Sequence, residues 1–335
     1  IADPALALPD PTPISFFGAE TWLGFVAQPA AELVGVDEAH GLSRTGAGIV
    51  IAVIDTGADP DHPLLAGRLL PGHDFVNDLP GPYTELADIQ QSSAAILEAS
   101  SSWRGNGFAR VNQSSAAILE RTFAAELQGA GLPFAFGHGT MVSGLIRLVA
   151  PEASILPLKA FDATGHARLS DLLAAIYYAV EQGADVLNMS FSLAAGSVEL
   201  ERALTHADAA GVVSVASAGN AGIVTLVYPA ALPGVLGVGS TTDADLRSAF
   251  SNHGAALCSL AAPGEGLVTA YPGGLYALVW GTSHSTALVS GAAALVLEAR
   301  PGATPAEVAA ALEQAVPVDP SLGAGRLDLE AALGW

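Results

Sequence analysis

The stretch Gly48–Asp55, GIVIAVID, decides the fold because it is almost entirely apolar and yet too short for a typical helix. A strand that is covered on both faces has this composition, whereas a half-exposed strand alternates apolar and polar residues. Asp55 closes the stretch, and Thr56-Gly57 then forces a turn. The stretch therefore predicts a buried parallel strand with a carboxylate at its carboxyl end.

Four more stretches of the same kind follow. An amphipathic segment precedes the second of these four stretches, and another precedes the third. This alternation predicts an α/β fold with a doubly wound, mainly parallel central β-sheet flanked by helices. In such sheets the functional residues gather at the carboxyl ends of the strands. The further strands are predicted at Ser154–Phe161, Ala184–Phe191, Val212–Gly219 and Val235–Thr241, and helices at Leu169–Gln182 and Val198–Ala210.

The composition excludes several classes of protein. The chain has 335 residues, of which 51% are hydrophobic and 13% charged, so it is not a disordered chain. Its net charge of −21 argues against binding to nucleic acid or to an anionic membrane. No apolar run is long enough to span a membrane. The one cysteine, Cys258, cannot form an internal disulfide, and its apolar setting predicts a buried strand residue rather than a nucleophile.

Residues 79–135 break the strand–helix rhythm. The octapeptide QSSAAILE occurs there twice, at Gln91–Glu98 and Gln113–Glu120, on either side of a Gly-rich break at 103–107. Helical periodicity on both sides of this break predicts an inserted αα-hairpin with one copy in each arm. Three roles stay open for the hairpin: a packed surface excursion, a restriction on access to a site, or a contact in a homodimer.

Three polar residues at the ends of predicted elements are the candidates for catalysis. Asp55 follows the first strand, His138 lies between two glycines at the start of an apolar helix, and Ser283 lies at the head of a long Ala-rich helix. Each alone has an ordinary structural explanation, such as a turn residue or a helix cap. Together they supply the nucleophile, base and orienting carboxylate of acyl transfer, in one of the known chain orders. Asn220, at another strand end, adds an amide that could donate to an oxyanion.

Four motifs carry a resemblance to a known family. They are VIDTG at 53–57, GHGTMVSG at 137–144, SAGN at 217–220 and GTSHSTALVSGAAAL at 281–295. On these motifs the chain resembles the subtilisin-like serine proteases, the subtilase family, over roughly residues 30–333 apart from the hairpin. Residues 30–335 are therefore expected to form a peptidase domain, interrupted by a helical insertion at about 79–135. Residues 1–29 are expected to be an N-terminal extension or the tail of a pro-region.

The resemblance implies a role for each candidate residue. Ser283 would be the nucleophile, His138 the general base and then acid, Asp55 the residue that orients the histidine, and Asn220 the oxyanion-hole amide. It also implies a cis peptide bond between Tyr228 and Pro229. The substrate edge and pocket would be formed by Ser190, Phe191, Ser192, Ala216, Ser217, Ala218 and Gly219.

The sequence departs from the family pattern at several places. His284 stands beside the nucleophile where the family usually has methionine, and either a surface or cleft-wall position or a role in substrate selection fits it. Phe191 adds bulk along the substrate edge. No cofactor and no metal ligand set is expected: the family's tight calcium site should be absent, since Leu64 replaces an acid and residues 146–151 lack the usual loop. Other calcium sites stay open, and Asp74 and Asp78 are weak candidates.

The predicted function is that of a serine endopeptidase, which hydrolyses peptide bonds through an acyl-enzyme on Ser283. Two alternatives stay open: a catalytically silent binding or regulatory protein on the same scaffold, and a peptide ligase or macrocyclase that uses the same acyl-enzyme but excludes water. The expected partners are peptide or protein substrates, with a pro-region as a further candidate inhibitor. No signal peptide is present in residues 1–29, but a mature exported chain would look the same, so a secreted or periplasmic location is expected.

Overall fold

A computed structural model of the chain describes residues 9–81, Glu85 and residues 133–334, together with the backbone of Phe108–Arg110. Its strands are β1 (Pro13–Phe16), β2 (Ala19–Trp22), β3 (Val50–Asp55), β4 (His73–Asp74), β5 (Leu79–Pro80), β6 (Phe108–Arg110), β7 (Ser154–Lys159), β8 (Val186–Met189), β9 (Val213–Ser217), β10 (Val235–Thr241), β11 (Leu260–Pro263), β12 (Leu267–Tyr271) and β13 (Leu275–Val279). Its α-helices are α1 (Leu23–Val26), α2 (Pro29–Val34), α3 (Val36–Gly41), α4 (His138–Val149), α5 (Leu169–Glu181), α6 (Val198–Ala209), α7 (Thr282–Ala299), α8 (Pro305–Leu312) and α9 (Leu329–Leu333).

The central sheet has eight strands in the order β11-β10-β9-β8-β3-β7-β4-β5. All neighbours are parallel except β4 and β5, which pair antiparallel. The strand that decides the fold, β3, lies between β7 and β8. The predicted doubly wound, mainly parallel α/β fold is thereby confirmed.

The apolar composition of β3 follows from its burial on both faces. Ile51 and Val53 belong to one core cluster, which α4 and α7 cover, whereas Ala52 and Ile54 belong to a second cluster with α5 and α6. Because successive strand residues point to opposite faces, both faces need apolar side chains. The predicted helices and strands agree with the observed elements to within a few residues, and β10 has the predicted bounds.

Residues 13–28 pack onto a second, smaller sheet that the sequence did not predict. In this sheet β12 and β13 pair antiparallel and the backbone of β6 adds in parallel to β13. The indole of Trp22 stacks on Tyr276 with ring centroids 4.7 Å apart, and the side-chain amide of Gln28 bonds both backbone groups of Val268. The N-terminal residues thus support the strand pair that leads into α7.

The predicted αα-hairpin lies outside the described residues, apart from Glu85, the backbone of β6 and the two ends. At the first end the chain is extended rather than helical, because Leu79–Pro80 forms β5 against β4. At the second end Pro133–Gly137 forms turns that lead directly into α4. The insertion therefore ends immediately before His138.

Several smaller expectations can be compared with the structure. The peptide bond between Tyr228 and Pro229 is cis, as the family resemblance implied. Cys258 is buried as predicted, but it lies in the turn before β11 rather than in a strand. Burial raises the pKa of its thiol to about 12, which leaves it uncharged at neutral pH. Among the helices in the described part of the chain, none is long and apolar enough to cross a membrane.

Candidate active site

The predicted carboxylate and imidazole are hydrogen-bonded to each other. Nδ1 of His138 lies 2.8 Å from Oδ1 and 2.9 Å from Oδ2 of Asp55. Asp55 is the last residue of β3, and its Oδ1 also accepts the backbone N–H of Thr56 at 2.7 Å. With Nδ1 committed to the carboxylate, Nε2 is the ring nitrogen that could exchange a proton with a substrate group.

Glycine at two positions allows the imidazole to approach the carboxylate so closely. A Cβ on Gly139 would lie 1.9 Å from the carbonyl oxygen of Gly57, so the start of α4 packs directly on the turn after β3. Gly137 precedes the histidine at φ +87°, and a Cβ there would lie 2.8 Å from the ring of Tyr271. The glycines on both sides of His138 therefore have a steric reason, as the sequence predicted.

The pKa of His138 is raised above its ordinary value. Burial alone would lower it, but the charge of Asp55, the hydrogen bond that His138 donates to Asp55 and the charge of Glu85 together more than offset this effect. The protonated imidazole is therefore favoured at a pH where a free histidine would be neutral. A raised pKa suits a group that must take a proton during reaction and hold it until it is returned.

Ser283 is the second residue of α7, and its hydroxyl is turned toward β8. Its Oγ donates to the carbonyl of Ser190 at 3.0 Å, while Oγ of Ser190 donates to the carbonyl of Ser283 at 2.9 Å. Asn188 donates to Oγ of Ser190 and accepts from Ser290, so a chain of hydrogen bonds joins β8 to α7. Nε2 of His138 has no hydrogen-bond partner among the residues that the structure describes. The hydrogen bond expected between the nucleophile and the base is therefore not formed.

Asn220 is oriented by the residue that precedes the nucleophile. Its Oδ1 accepts the backbone N–H and the hydroxyl of Thr282, each at 2.9 Å. Since the oxygen end of the amide is held, the NH₂ end must point away from Thr282. The Thr282 hydroxyl also accepts the backbone N–H of Gly219 at 3.1 Å, which ties the end of β9 to the start of α7.

The predicted pocket residues lie at the ends of two neighbouring strands. Ser190 and Ser192 follow β8, Ala216 and Ser217 end β9, and Ala218 and Gly219 continue from it. A side chain at Gly219 would collide with Asn252, whose Nδ2 would lie 2.7 Å from the added Cβ. Ser190 is hydrogen-bonded to Ser283, and Gly219 to Thr282, so these strand ends lie next to the start of α7. Their role as a substrate edge stays a prediction.

Phe191 occupies a different place from the one its sequence position suggested. Its ring is buried in the core cluster on the α5 and α6 face and lies 5.0 Å, centroid to centroid, from the ring of Phe161. The expectation that this ring adds bulk along the substrate edge is not met in this conformation. The reason is that an apolar side chain at the end of β8 gains more by packing on a second aromatic ring than by facing a polar cleft.

One acidic residue in the site was missed from the sequence. Glu85 belongs to the insertion, where the sequence predicted a helix, yet it is buried beside Asp55 and His138. It accepts hydrogen bonds from the hydroxyls of Thr56 and Thr140 and from the backbone N–H of Gly139. No sequence signal marks Glu85, because an isolated glutamate in a predicted helix is normally a solvated residue.

His284 is fully buried, which rules out the surface alternative for this residue. Its ring centroid lies 5.9 Å from that of His138. Neither of its ring nitrogens has a hydrogen-bond partner among the described residues. Burial and then the charge of His138 hold the pKa of His284 well below its ordinary value, although the carbonyls of Trp280 and Gly281 oppose the shift. His284 is therefore neutral at neutral pH.

A cationic side chain joins Leu64 to residues 146–151, the two places on which the expectation of an absent calcium site was based. Arg147 is buried on α4, which continues without a loop to Val149, and its Nε donates to the carbonyl of Leu64 at 3.0 Å. Asp74, a weak candidate ligand, already accepts from the backbone of Val76 and Asn77. Within residues 9–81 and 133–334 and at Glu85, no three histidine, cysteine, aspartate or glutamate side chains are grouped so that they could hold a metal ion.

The fold has a mainly parallel central sheet, and the Asp55–His138 pair lies at the carboxyl end of its strand β3. The chain belongs to the subtilase family, whose sequence model matches residues 46–335. The family assignment that the four motifs suggested is thus confirmed.

Individual relatives agree with this assignment. The chain is 33% identical over 278 residues to the thermophilic serine proteinase of Bacillus sp. (strain AK1), a match that covers 83% of the chain and 59% of that protein. It is 32% identical over 268 residues to thermitase of Thermoactinomyces vulgaris, covering 80% of the chain and 81% of thermitase. Among solved structures, a cold-adapted subtilisin-like serine proteinase superposes with a TM-score of 0.65 at 27% identity, covering 85% of this chain and 89% of that one.

Proposed function

We propose that the chain is a serine endopeptidase, with Ser283 as the nucleophile. The observation that carries the proposal is the Asp55–His138 pair, in which the carboxylate holds Nδ1 and leaves Nε2 without a partner among the described residues. A histidine in this state is prepared to accept a proton from an alcohol. The names of the relatives, a serine proteinase and thermitase, support the same activity.

In the proposed mechanism His138 takes the proton of Ser283 as its oxygen attacks the scissile carbonyl. The negative charge that develops on the substrate oxygen would be stabilised by the amide of Asn220 and by the backbone N–H of Ser283, which lies in the first turn of α7. His138 then returns the proton to the leaving amine, and water hydrolyses the acyl-enzyme by the same route. Asp55 keeps Nδ1 protonated throughout and stabilises the imidazolium.

The mechanism requires a conformational change that can be stated in detail. The hydroxyl of Ser283 must turn from the carbonyl of Ser190 to Nε2 of His138. Ser283 and His138 are both fully inaccessible to solvent in this structure. Substrate therefore reaches Ser283 only after neighbouring residues move, and we propose that peptide binding along the ends of β8 and β9 accompanies this opening.

Labelling with a fluorophosphonate tests the proposal. The wild type should be modified at Ser283, and Ser283→Ala should be neither labelled nor active, with kcat lowered on the order of 10⁶-fold. Circular dichroism of the variant should match the wild type. The absence of labelling in a folded wild type, or equal labelling of Ser283→Ala, would remove the endopeptidase proposal.

A specific observation favours a second candidate, a catalytically silent protein on the subtilase scaffold. The buried site and the Ser283 hydroxyl held by Ser190 are what a closed, inactive arrangement requires. The two candidates differ in what peptides do to the chain: an enzyme releases two fragments, whereas a binding protein retains the intact peptide. Mass spectrometry of the products decides between them and would also reveal the cyclised product of a ligase.

The remaining partners and the location are part of the proposal. We propose peptide or protein substrates, a secreted or periplasmic location, a pro-region as inhibitor, and either restricted access or dimerisation through the insertion. Replacing residues 86–132 with a short Gly-Ser linker tests the role of the insertion while it keeps Glu85. Unchanged cleavage of large substrates together with an unchanged solution mass would exclude both roles of the insertion.

A further inference from the structure

We propose that Glu85 is a positioning residue of this site, which fixes Asp55 relative to His138 and places a negative charge on the Nδ1 side of the His138 ring. The inference rests on the proposed function. It gives the segment between Asp55 and His138 a part in catalysis, where the sequence indicated a surface excursion. Three observations carry it: the bonds that Glu85 accepts, its burial, and the charged groups around it.

The hydrogen bonds of Glu85 join the two elements that hold the catalytic pair. Oε1 accepts from the Thr56 hydroxyl and from the backbone N–H of Gly139 at 3.1 Å, and Oε2 accepts from the Thr140 hydroxyl at 2.5 Å. Thr56 directly follows Asp55, whereas Gly139 and Thr140 directly follow His138. One carboxylate thus bridges the turn after β3 and the first turn of α4.

The bridge also determines which donors Asp55 keeps. The Thr56 hydroxyl lies 3.2 Å from Oδ1 of Asp55 but closer to Glu85, and its single hydrogen can be given to only one of them. With this hydrogen on Glu85, Asp55 retains the backbone N–H of Thr56 and the Nδ1–H of His138. Glu85 therefore leaves the Asp55 carboxylate free to face the imidazole.

Charged and titratable groups face Glu85 from four elements. They are Asp55 at the end of β3, His138 on α4, Lys159 at the end of β7 and Tyr271 at the end of β12. Burial raises the pKa of Glu85 to about 7, with a further upward contribution from Asp55, while the two threonine hydroxyls and Lys159 oppose the shift. The charge of Glu85 in turn contributes to the raised pKa of His138.

Two variants separate the geometry from the charge. Glu85→Gln keeps an oxygen that accepts from Thr56 and Gly139 and an amide nitrogen that donates to Thr140, but it removes the charge. Above pH 8 we expect its kcat to stay within about threefold of the wild type. Glu85→Ala removes the bridge as well, and we expect kcat to fall on the order of 10²-fold with little change in KM, because the displaced groups act on the reacting atoms rather than on substrate binding.

The pH dependence provides a result that a purely structural role would not give. Without the negative charge, the pKa of His138 falls, so the acid limb of kcat/KM should move to lower pH in both variants. Glu199→Gln, which changes an exposed glutamate on α6, is the matched control and should leave the limb in place. An Ala variant with wild-type kcat, or an acid limb that Glu85→Gln does not move, would overturn the inference.

A second measurement is independent of catalysis. Nuclear magnetic resonance of the Nδ1 proton of His138 reports its pKa directly, so Glu85→Gln can be tested even if the wild type has no peptidase activity or Glu85→Ala does not fold. A lower pKa of His138 in Glu85→Gln supports the inference, and an unchanged pKa overturns it. Failure of fluorophosphonate to label the wild type would instead contradict the proposed function.

Discussion

The two sides of the His138 ring are built differently. On the Nδ1 side, Asp55, Thr56, Glu85, Gly139 and Thr140 form a network in which every acceptor has donors. On the Nε2 side the ring has no partner within the described residues, the Ser283 hydroxyl is directed to Ser190, and the neighbouring His284 has two nitrogens without partners there. Within the described residues, the hydrogen bonds of the first side are complete, whereas those of the second side are not.

Burial affects Glu85 and His284 differently because only the Glu85 side chain has hydrogen-bond partners among the described residues. Burial raises the pKa of Glu85 and lowers the pKa of His284. Both shifts favour the neutral form of the side chain. The two threonine hydroxyls and Lys159 offset part of that cost for Glu85, whose pKa is about 7. The carbonyls of Trp280 and Gly281 oppose the shift of His284, but its pKa stays well below the ordinary value. Loss of the Glu85 charge on the Nδ1 side should therefore change the pH dependence, whereas loss of the His284 imidazole on the Nε2 side should not.

After the loss expected from Ser283→Ala, the next largest effect is expected from Asn220→Ala, which removes a side-chain amide on the Nε2 side. In the proposed mechanism the amide acts only when negative charge develops on the substrate oxygen, so kcat should fall by about 10²–10³-fold while KM changes little. Steady-state kinetics on a peptide substrate measures this loss. A rise in KM of the same size with kcat unchanged would mean instead that Asn220 binds the substrate in its ground state.

A smaller loss is expected from Thr282→Val, which removes one of the two donors that orient Asn220. The backbone N–H of Thr282 still holds Oδ1, so kcat should fall about tenfold. Thr282→Ser keeps the hydroxyl and is the matched control. If Val and Ser at this position give the same kcat, the hydroxyl does not orient the amide.

On the complete side, Glu85→Gln should change the pH dependence of stability. Between about pH 4.5 and 7 the folded protein keeps the Glu85 proton that the unfolded chain has lost, so stability falls as pH rises through this range and is level above it. The variant lacks this decline. Its free energy of unfolding relative to that of the wild type should therefore rise by up to about 3 kcal/mol from low to neutral pH. Thermal unfolding of both proteins across this range measures the gain, and a constant difference between them would contradict it.

The smallest catalytic effect is expected from His284→Met. His284 is neutral across the working range, so its replacement should leave the pH profile unchanged above pH 6 and kcat within a few-fold. Removing two buried nitrogens without partners should raise the free energy of unfolding by about 1–3 kcal/mol. A shifted pH profile would show that the neutral imidazole interacts with His138 during the reaction.

The parts of the fold and site that the sequence predicted are those with local signals. The apolar composition of β3 reports burial on two faces, and the glycines around His138 report the close approach of α4 to Gly57. Asn220 and Ser283 were predicted because each closes or opens a recognisable element. Such features are encoded within a few neighbouring residues.

The parts that could not be predicted depend on contacts between distant segments. Glu85 joins the site only because the chain returns from the insertion to Thr56, and no pattern near Glu85 records that return. The ring of Phe191 packs on Phe161 because of a tertiary contact that the strand pattern does not contain. The Ser283 hydroxyl bonds the carbonyl of Ser190, a contact between two segments that are far apart in the sequence.

Arg147 gives the packing of α4 a property that a bound ion cannot have. A dissociable cation stabilises a protein in proportion to the logarithm of its free concentration, so its contribution varies with the medium. The guanidinium that bonds the carbonyl of Leu64 is covalently part of the chain and stays protonated at any physiological pH. The contact between α4 and the segment after β3 therefore does not depend on the concentration of a free metal ion. Neither dilution nor a chelator can remove this cation.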